Sequence, residues 1–183
     1  MEIVNKYQIG NLVKIAAITI LGTLLLTISA KVKIPFYPVP MTMQTFVVLF
    51  LGMAFGYKIG LFTVSLYLLE GIIGLPVFAN SPEKGIGFVY FTGPTMGYLI
   101  GFLIAVFFAG YFKYEKNFVY IFIKLLFSVS FIYIFGLLWL CYLIGSDKPI
   151  FKFGAQPFFL AELFKLLLLV ILSPYIKKLN KIF

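Results

Sequence analysis

Six long apolar runs follow one another along this 183-residue chain, separated by short stretches rich in lysine, proline and glycine. A helix that crosses a bilayer needs about 20 mostly apolar residues. The pattern predicts an all-α integral membrane protein with six transmembrane helices, which form one domain over residues 1–183. The predicted helices lie at about 9–30, 41–56, 58–74, 94–112, 118–144 and 157–176.

Composition supports a membrane protein over a soluble one. Apolar residues make up 62% of the chain and the mean hydropathy is +1.07, whereas a soluble domain is about 45–50% apolar. The chain has no histidine and one cysteine, so it lacks the commonest general base and any cluster typical of a zinc site. We therefore expect no enzyme activity and no resident cofactor or metal.

The distribution of lysine predicts the orientation in the membrane. Every basic residue is a lysine, and the net charge is +9. Positive residues are more frequent in cytoplasmic loops than in outer loops. With both termini in the cytoplasm, eight lysines flank the inner side and five lie outside. The inner set is Lys6, Lys14, Lys58, Lys113, Lys116, Lys177, Lys178 and Lys181, and the outer set is Lys31, Lys33, Lys84, Lys148 and Lys152.

The lysine residues also indicate which partners the chain can bind. The basic and aromatic tail at residues 175–183 is typical of a segment that lies against anionic membrane lipid. A nucleic-acid partner is not expected, because the chain has no soluble basic face that could hold a phosphate backbone.

Three outer loops are substantial under this topology. The first, at residues 31–40, contains three prolines and is expected to be extended. The second, at 75–93, is long enough to be a lid, a binding loop or a disordered segment, and its aromatic residues favour packing. The third, at 145–156, precedes Pro157, a residue type that the start of a helix tolerates.

Two charged residues, Glu162 and Lys165, lie inside the last apolar run. A charge near the membrane centre costs about 3 kcal/mol or more to insert, and side chains three residues apart share a helix face. At about 1.5 Å per residue, Glu162 lies roughly 7–8 Å below the helix start. The pair therefore predicts a polar site in the outer half of the membrane. Two alternatives are side chains that extend to the surface and a structural pair without a ligand.

An acid and a lysine together suit a planar polar ligand group such as a urea, since a carboxylate accepts hydrogen bonds and an ammonium donates them. Gln44, near the outer end of the second helix, and Asn80, in the second outer loop, can both donate and accept toward such a ligand. Each also has an ordinary interpretation. Asparagine is common in turns, and a glutamine at a helix end is often solvated.

Several ordered blocks of the sequence are similar to one family. They are Val39-Pro-Met-Thr-Met-Gln-Thr45, Gly74-Leu-Pro-Val-Phe-Ala79, Phe91-Thr-Gly-Pro-Thr-Met-Gly-Tyr-Leu-Ile-Gly-Phe102 and Gly154-Ala-Gln-Pro-Phe-Phe-Leu-Ala-Glu-Leu-Phe-Lys165. Over nearly its whole length the chain resembles the BioY family, the biotin-specific substrate-binding (S) components of energy-coupling-factor (ECF) transporters.

The resemblance implies the six-helix S-component fold, biotin as the transported ligand, and a prokaryotic cell membrane as the location. It implies as partners a transmembrane coupling protein and two ABC-type ATPase subunits. It places Glu162 and Lys165 at the ureido end of biotin, with Asn80 as a further contact, and it carries over Gln44 and Tyr98. The family usually has Asp where Glu162 stands, so the carboxylate here lies about one methylene further from the backbone.

Other functions stay open on the sequence alone. The chain has no phosphate-binding loop of the kind that ATPases use, so ATP hydrolysis would fall to other subunits. One alternative is an S component or stand-alone carrier for a different vitamin. Others are a small membrane enzyme acting on lipid, for which the chain offers no catalytic group, and a purely structural subunit.

Overall fold

Helices make up most of the computed structural model, which describes residues 2–115 and 117–180. They run in the order α1 Glu2–Lys31, α2 Gln44–Ile72, α3 Met96–Tyr111, α4 Phe118–Ile144, α5 Ile150–Gly154 and α6 Phe159–Asn180. The all-helical prediction is confirmed. Of the lysines behind the predicted orientation, Lys116 and Lys181 lie outside the described residues, as does the end of the tail at 181–183.

Helix α2 is a helical hairpin. Its backbone leaves the helical conformation at Gly56, where φ is 76° and ψ is 171°, a left-handed region that favours glycine. Gln44 and Tyr67 would lie about 35 Å apart on a straight helix, yet their side chains join at 2.8 Å. The two arms, at 44–55 and 57–72, therefore lie side by side and correspond to the second and third predicted segments.

Glycines hold α2 against α3 at the closed end of this hairpin. A methyl group added to Gly52 would lie 2.7 Å from the Val106 carbonyl oxygen, and one added to Gly110 would overlap the backbone at Gly56 and Tyr57. The backbones touch at these positions because no side chain separates them.

The loop at 31–40, the first of the three predicted to lie on the outer side, returns on itself as a short β-hairpin. Strand β1, Lys33–Ile34, pairs antiparallel with strand β2, Met41–Thr42, so that Lys33 lies opposite Thr42. Helix α2 begins at Gln44, three residues later than predicted, because the backbone at 41–42 is taken up by this pairing.

The other two outer loops contain short helical turns that the sequence did not predict. A 3-10 turn covers Gly87–Thr92 in the second loop, and α5 lies in the third. Pro157 belongs to a second 3-10 turn, Gln156–Phe158, so that α6 begins at Phe159 instead of at the proline.

The core lies between α2 and the helices around it, α1, α3 and α6, while α4 packs on α3. Many large apolar side chains on the outside of the bundle are exposed, among them Leu21, Ile123 and Leu167, as expected for helices that face lipid. Within the described residues, four helices are long and apolar enough to cross a membrane, and Met96–Tyr111 is a shorter apolar helix. The four are Leu12–Lys31, Gln44–Ile72, Phe118–Ile144 and Ile150–Ile176.

Candidate ligand-binding site

Glu162 and Lys165 lie in the first two turns of α6 and point into the bundle. Their side chains are only 8% and 5% exposed, and Lys165 Nζ lies 2.6 Å from Glu162 Oε1. The contact expected from the three-residue spacing is therefore present. The first turn of a helix also favours an acid, because the helix dipole is positive there. The buried arrangement excludes, for this structure, the alternative in which the two charges extend to the surface.

The start of α2 supplies the polar partners of this pair. Lys165 Nζ donates to the Thr42 carbonyl oxygen at 2.6 Å and to Thr45 Oγ1 at 3.0 Å. Thr45 Oγ1 donates in turn to Glu162 Oε1 at 2.8 Å. The β-hairpin fixes the Thr42 carbonyl, so strand, helix α2 and helix α6 meet at one ammonium group.

The second oxygen of the Glu162 carboxylate is different. Oε2 is buried and accepts no hydrogen bond of ordinary geometry from the residues that the structure describes. The phenol of Tyr133 on α4 interacts with the carboxylate electrostatically and through a weak hydrogen bond, which does not satisfy Oε2. Because buried polar atoms are nearly always paired, this oxygen is available for a ligand.

An internal cavity of about 50 Å³ lies beside Glu162. Its walls are mostly apolar and aromatic, and the polar exceptions are few. Gln44, Tyr98 and Glu162, three of the five residues predicted from the sequence, line it, whereas Lys165 and Asn80 do not. Its other lining residues include Thr42, Thr45, Phe78, Tyr90, Phe102, Ile132, Tyr133 and Phe158.

Hydrogen bonds hold Gln44 and Tyr98 in the cavity wall. Gln44 Nε2 donates to the Tyr67 hydroxyl at 2.8 Å, and that hydroxyl donates to the Val77 carbonyl oxygen at 3.0 Å. The Tyr98 hydroxyl donates to the Gly154 carbonyl oxygen at 2.8 Å. Tyr98 therefore offers its ring to the cavity, while its hydroxyl ties α3 to α5.

The second outer loop covers the cavity with aromatic side chains. The Phe78 ring stacks on Tyr90 at 4.6 Å between centroids and meets Tyr67 and Phe91 edge-on at 5.3 Å. Burial raises the pKa of the Tyr90 phenol, so it stays neutral at ordinary pH. The packing that the aromatic residues of this loop predicted is confirmed for Phe78, Tyr90 and Phe91, whereas Phe88 is exposed.

Two lysines, Lys31 at the end of α1 and Lys33 in β1, hold the same loop. Lys31 Nζ donates to the carbonyl oxygens of Phe78 and Ser81, both at 2.8 Å. Lys33 Nζ donates to the Ala79 carbonyl oxygen at 2.8 Å and to Asn80 Oδ1 at 3.1 Å. Asn80 thus lies next to Lys33 and outside the cavity wall, and its part in ligand binding stays a prediction.

Two larger apolar grooves open on the outside of the bundle. One, of about 330 Å³, lies between α4, α5 and α6 and reaches Tyr133 and Glu162. The other, of about 510 Å³, lies between the β-hairpin and α6 and reaches Thr42 and Lys165. Within residues 2–115 and 117–180, no group of three or more acidic or cysteine side chains could hold a metal ion.

Sequence reasoning missed four contributors to this site. Thr45 lies within a block that carried the family resemblance, next to Gln44, but its hydroxyl was not singled out. Tyr133 gave no signal, because it lies among other aromatic residues of α4. The lysines at 31 and 33 were counted for orientation only, since their partners lie 46 to 50 residues away in the chain.

A helical bundle with membrane-length apolar helices and a sheltered carboxylate beside an aromatic cavity is the architecture of a small-molecule binding protein of the membrane. The model of the BioY family matches residues 4–181. This chain belongs to the BioY family.

Comparison with individual proteins gives the same family. A probable biotin transporter BioY from Pyrococcus horikoshii is 32% identical over 149 residues, which cover 81% of this chain and 87% of the relative. The biotin transporter BioY from Thermotoga maritima is 34% identical over 159 residues, which cover 86% of this chain and 92% of the relative. A crystal structure of the S-component for biotin from an ECF-type ABC transporter is similar with a TM-score of 0.78 and 26% identity, covering 92% of this chain and 93% of the other.

Proposed function

We propose that this chain is the biotin-binding membrane subunit of an energy-coupled importer and that it mediates biotin uptake. Family membership makes it a transport protein and not an enzyme. The observation that carries the proposal is the buried Glu162 carboxylate with one unpartnered oxygen beside an aromatic cavity. Biotin offers urea N–H groups to such an oxygen and an apolar ring system to aromatic walls.

The polar groups near the cavity can both accept hydrogen bonds from biotin and donate hydrogen bonds to it. Glu162 Oε2 accepts a urea N–H, and the amide of Gln44 can donate to the urea oxygen. The amide of Asn80, which lies outside the cavity wall in this structure, can do the same once the loop moves. Tyr98, Phe102 and their aromatic neighbours provide apolar surface for the bicycle. The five predicted residues Glu162, Lys165, Asn80, Gln44 and Tyr98 remain our candidates for the binding site.

Binding requires the site to open. Pockets for ligands of this size are roughly 300–1,000 Å³, whereas the cavity beside Glu162 is about 50 Å³. The loop at 78–83 borders the cavity through Phe78 and Ala79, and it is held both by lysine side chains and by the packing of the Phe78 ring. We infer that this loop moves outward to admit biotin and then closes over it.

The proposed membrane topology has six spans in one domain, with both termini in the cytoplasm of a prokaryote. The two arms of α2 count as separate spans in this proposal. Each arm and α3 is shorter than about 20 residues, so flanking loops or local thinning of the bilayer must complete their passage. The lysine distribution supports this orientation.

The proposed partners are a transmembrane coupling protein and two ABC-type ATPase subunits, with anionic lipid at the basic tail. Ligand binds from outside, and ATP hydrolysis in the partner subunits drives the change of access, since transport needs two states that differ in ligand access. The likeness to the S-component of an ECF-type transporter supports this assignment.

Equilibrium titration tests the proposal. The purified full chain in lipid nanodiscs is titrated with biotin by calorimetry, alongside Glu162→Gln, and then in competition with thiamin and riboflavin. We expect saturable biotin binding that the other vitamins do not displace. Displacement by another vitamin would support the alternative of a different S component, and a complete lack of saturable binding would exclude vitamin capture.

A further inference from the structure

Lys165 has no hydrogen-bond donor left for a ligand. An ammonium group has three N–H donors and no acceptor. Its three protein partners are the Thr42 carbonyl oxygen at 2.6 Å, Thr45 Oγ1 at 3.0 Å and Glu162 Oε1 at 2.6 Å. Lys165 is also absent from the residues that line the cavity. In this arrangement it neutralises and orients Glu162, and a direct contact with a ligand would require it to give up one of these partners.

The direction of the hydrogen bonds around Thr45 is fixed by this ammonium group. Lys165 can only donate, so Thr45 Oγ1 must be the acceptor in their contact. A hydroxyl has a single proton, and the remaining partner of Thr45 Oγ1 is the carboxylate oxygen Glu162 Oε1 at 2.8 Å. The proton of Thr45 therefore goes to Oε1.

The two carboxylate oxygens of Glu162 are consequently unequal. Oε1 accepts from both Lys165 and Thr45, while Oε2 accepts no hydrogen bond of ordinary geometry from a described residue and has only the weak contact of the carboxylate with Tyr133 beside it. Leaving a buried acceptor without a good partner is unfavourable. Glu162 lines the cavity, so a ligand N–H that reaches Oε2 removes this penalty.

We propose that Thr45 is a positioning residue that turns Glu162 so that Oε2 serves as the single acceptor for one ligand N–H. The inference rests on the proposed biotin function and deepens it, because it names the residue that sets the urea orientation. Without the Thr45 hydroxyl, the carboxylate can rotate and share its oxygens with Lys165, and the urea loses its fixed acceptor.

Isosteric substitutions separate the hydroxyl from the volume of the side chain. Thr45→Val removes the hydroxyl and keeps the shape, while Thr45→Ser keeps the hydroxyl. Thr63→Val is a matched control, because Thr63 lies on the other arm of α2, is fully buried, and bonds only to the Ile59 carbonyl oxygen of its own helix at 2.8 Å. Thr45→Ala carries the same expectation as Thr45→Val if valine is not tolerated.

Biotin affinity is measured by calorimetry for wild type and these variants in nanodiscs, together with thermal stability. We expect Thr45→Val to bind biotin at least tenfold more weakly, and Thr45→Ser and Thr63→Val to stay within threefold of wild type. If Thr45→Val also stays within threefold, or if Thr45→Ser loses as much affinity as Thr45→Val, the inference is overturned.

A ligand modification distinguishes positioning from a general effect on stability. Two biotin analogues, each methylated at one urea nitrogen, are titrated into wild type and Thr45→Val. For the analogue that blocks the N–H facing Oε2, the two proteins should bind equally weakly, whereas the other analogue should still show the tenfold difference. Equal losses for both analogues would contradict the inference. Failure of wild type to bind biotin at all would instead reject the proposed function and, with it, this inference.

Discussion

Lysine side chains organise two regions of this protein in different ways. In the helix cluster, formed by Glu162, Lys165 and Thr45, an ion pair with side chains 8% and 5% exposed joins two helices. In the loop cluster, Lys31 and Lys33 donate to the loop at 78–83. There the single ion pair, Lys33 to Glu83, is 3.6 Å long, with side chains 27% and 74% exposed.

The difference in burial assigns the two clusters different tasks. Removing one partner of a buried pair leaves an uncompensated charge, which costs about 3–5 kcal/mol, so the helix cluster must stay intact. An exposed pair contributes about 0–1 kcal/mol, so the pair of Lys33 with Glu83 adds little to the hold on the loop. Phe78, Ala79 and Ser81, whose carbonyls accept from the two lysines, are buried. These hydrogen bonds hold the loop whose residues Phe78 and Ala79 line the cavity, and the loop opening proposed above must break them.

The largest effect is expected from breaking the helix cluster. Lys165→Met leaves Glu162 buried without its counter-charge, and we expect biotin affinity to fall at least about 100-fold, since a tenfold loss corresponds to about 1.4 kcal/mol. Calorimetric titration and a thermal melt measure the change. Lys148→Met is the matched control, because Lys148 pairs with Asp147 on the surface. Comparable losses in the two variants would remove the distinction between buried and exposed pairs.

An intermediate effect is expected in the loop cluster. The double variant Lys31→Met, Lys33→Met removes the four hydrogen bonds that hold residues 78–81 and leaves the helix cluster of the protein intact. Bound biotin should therefore dissociate about tenfold faster from the variant than from wild type. Stopped-flow displacement of a fluorescent biotin conjugate measures the rate. Lys84→Met serves as control, because Lys84 lies over the Tyr37 ring at 5.9 Å and bonds to none of the loop carbonyls named above. An unchanged dissociation rate in the double variant would show that the loop is held by its aromatic packing alone.

The smallest effect is expected at Glu83. Its side chain is mostly exposed and its ion pair is long, so Glu83→Gln should change biotin affinity by less than about twofold. The residual effect should disappear as salt is raised from 0.05 M to 0.5 M, because salt screens exposed charges. A tenfold loss, or one that persists at high salt, would place Glu83 in the closing mechanism.

The sequence predicted those features that depend on neighbours along the chain. Helix α4 occupies Phe118–Ile144 as expected, with Asn117 Oδ1 accepting from the Val119 amide at 2.9 Å as its cap. The contact between Glu162 and Lys165 follows from their spacing on one helix. The hairpin of α2 was foreseen as two segments, because Gly56 interrupts an apolar run.

Features that depend on tertiary packing could not be predicted. Thr45 reaches Glu162 across 117 residues of chain, and no local pattern distinguishes its hydroxyl from others in the apolar helices. Helix α2 starts at Gln44, later than predicted, because Met41 and Thr42 pair with β1. A strand of two residues is too short to show an alternating pattern of apolar and polar residues in the sequence. Asn80 was placed toward the ligand by family resemblance, whereas in this structure its amide oxygen accepts from Lys33.

The glycine contacts between α2 and α3 have a mechanical consequence. Near Gly52, Gly56 and Gly110 the two backbones are in direct contact, at the end of the bundle furthest from the cavity. They cannot part there without losing the closest packing in the pair, and they cannot move closer. Even alanine at Gly52 or Gly110 would meet backbone atoms of the other element and force α2 and α3 apart.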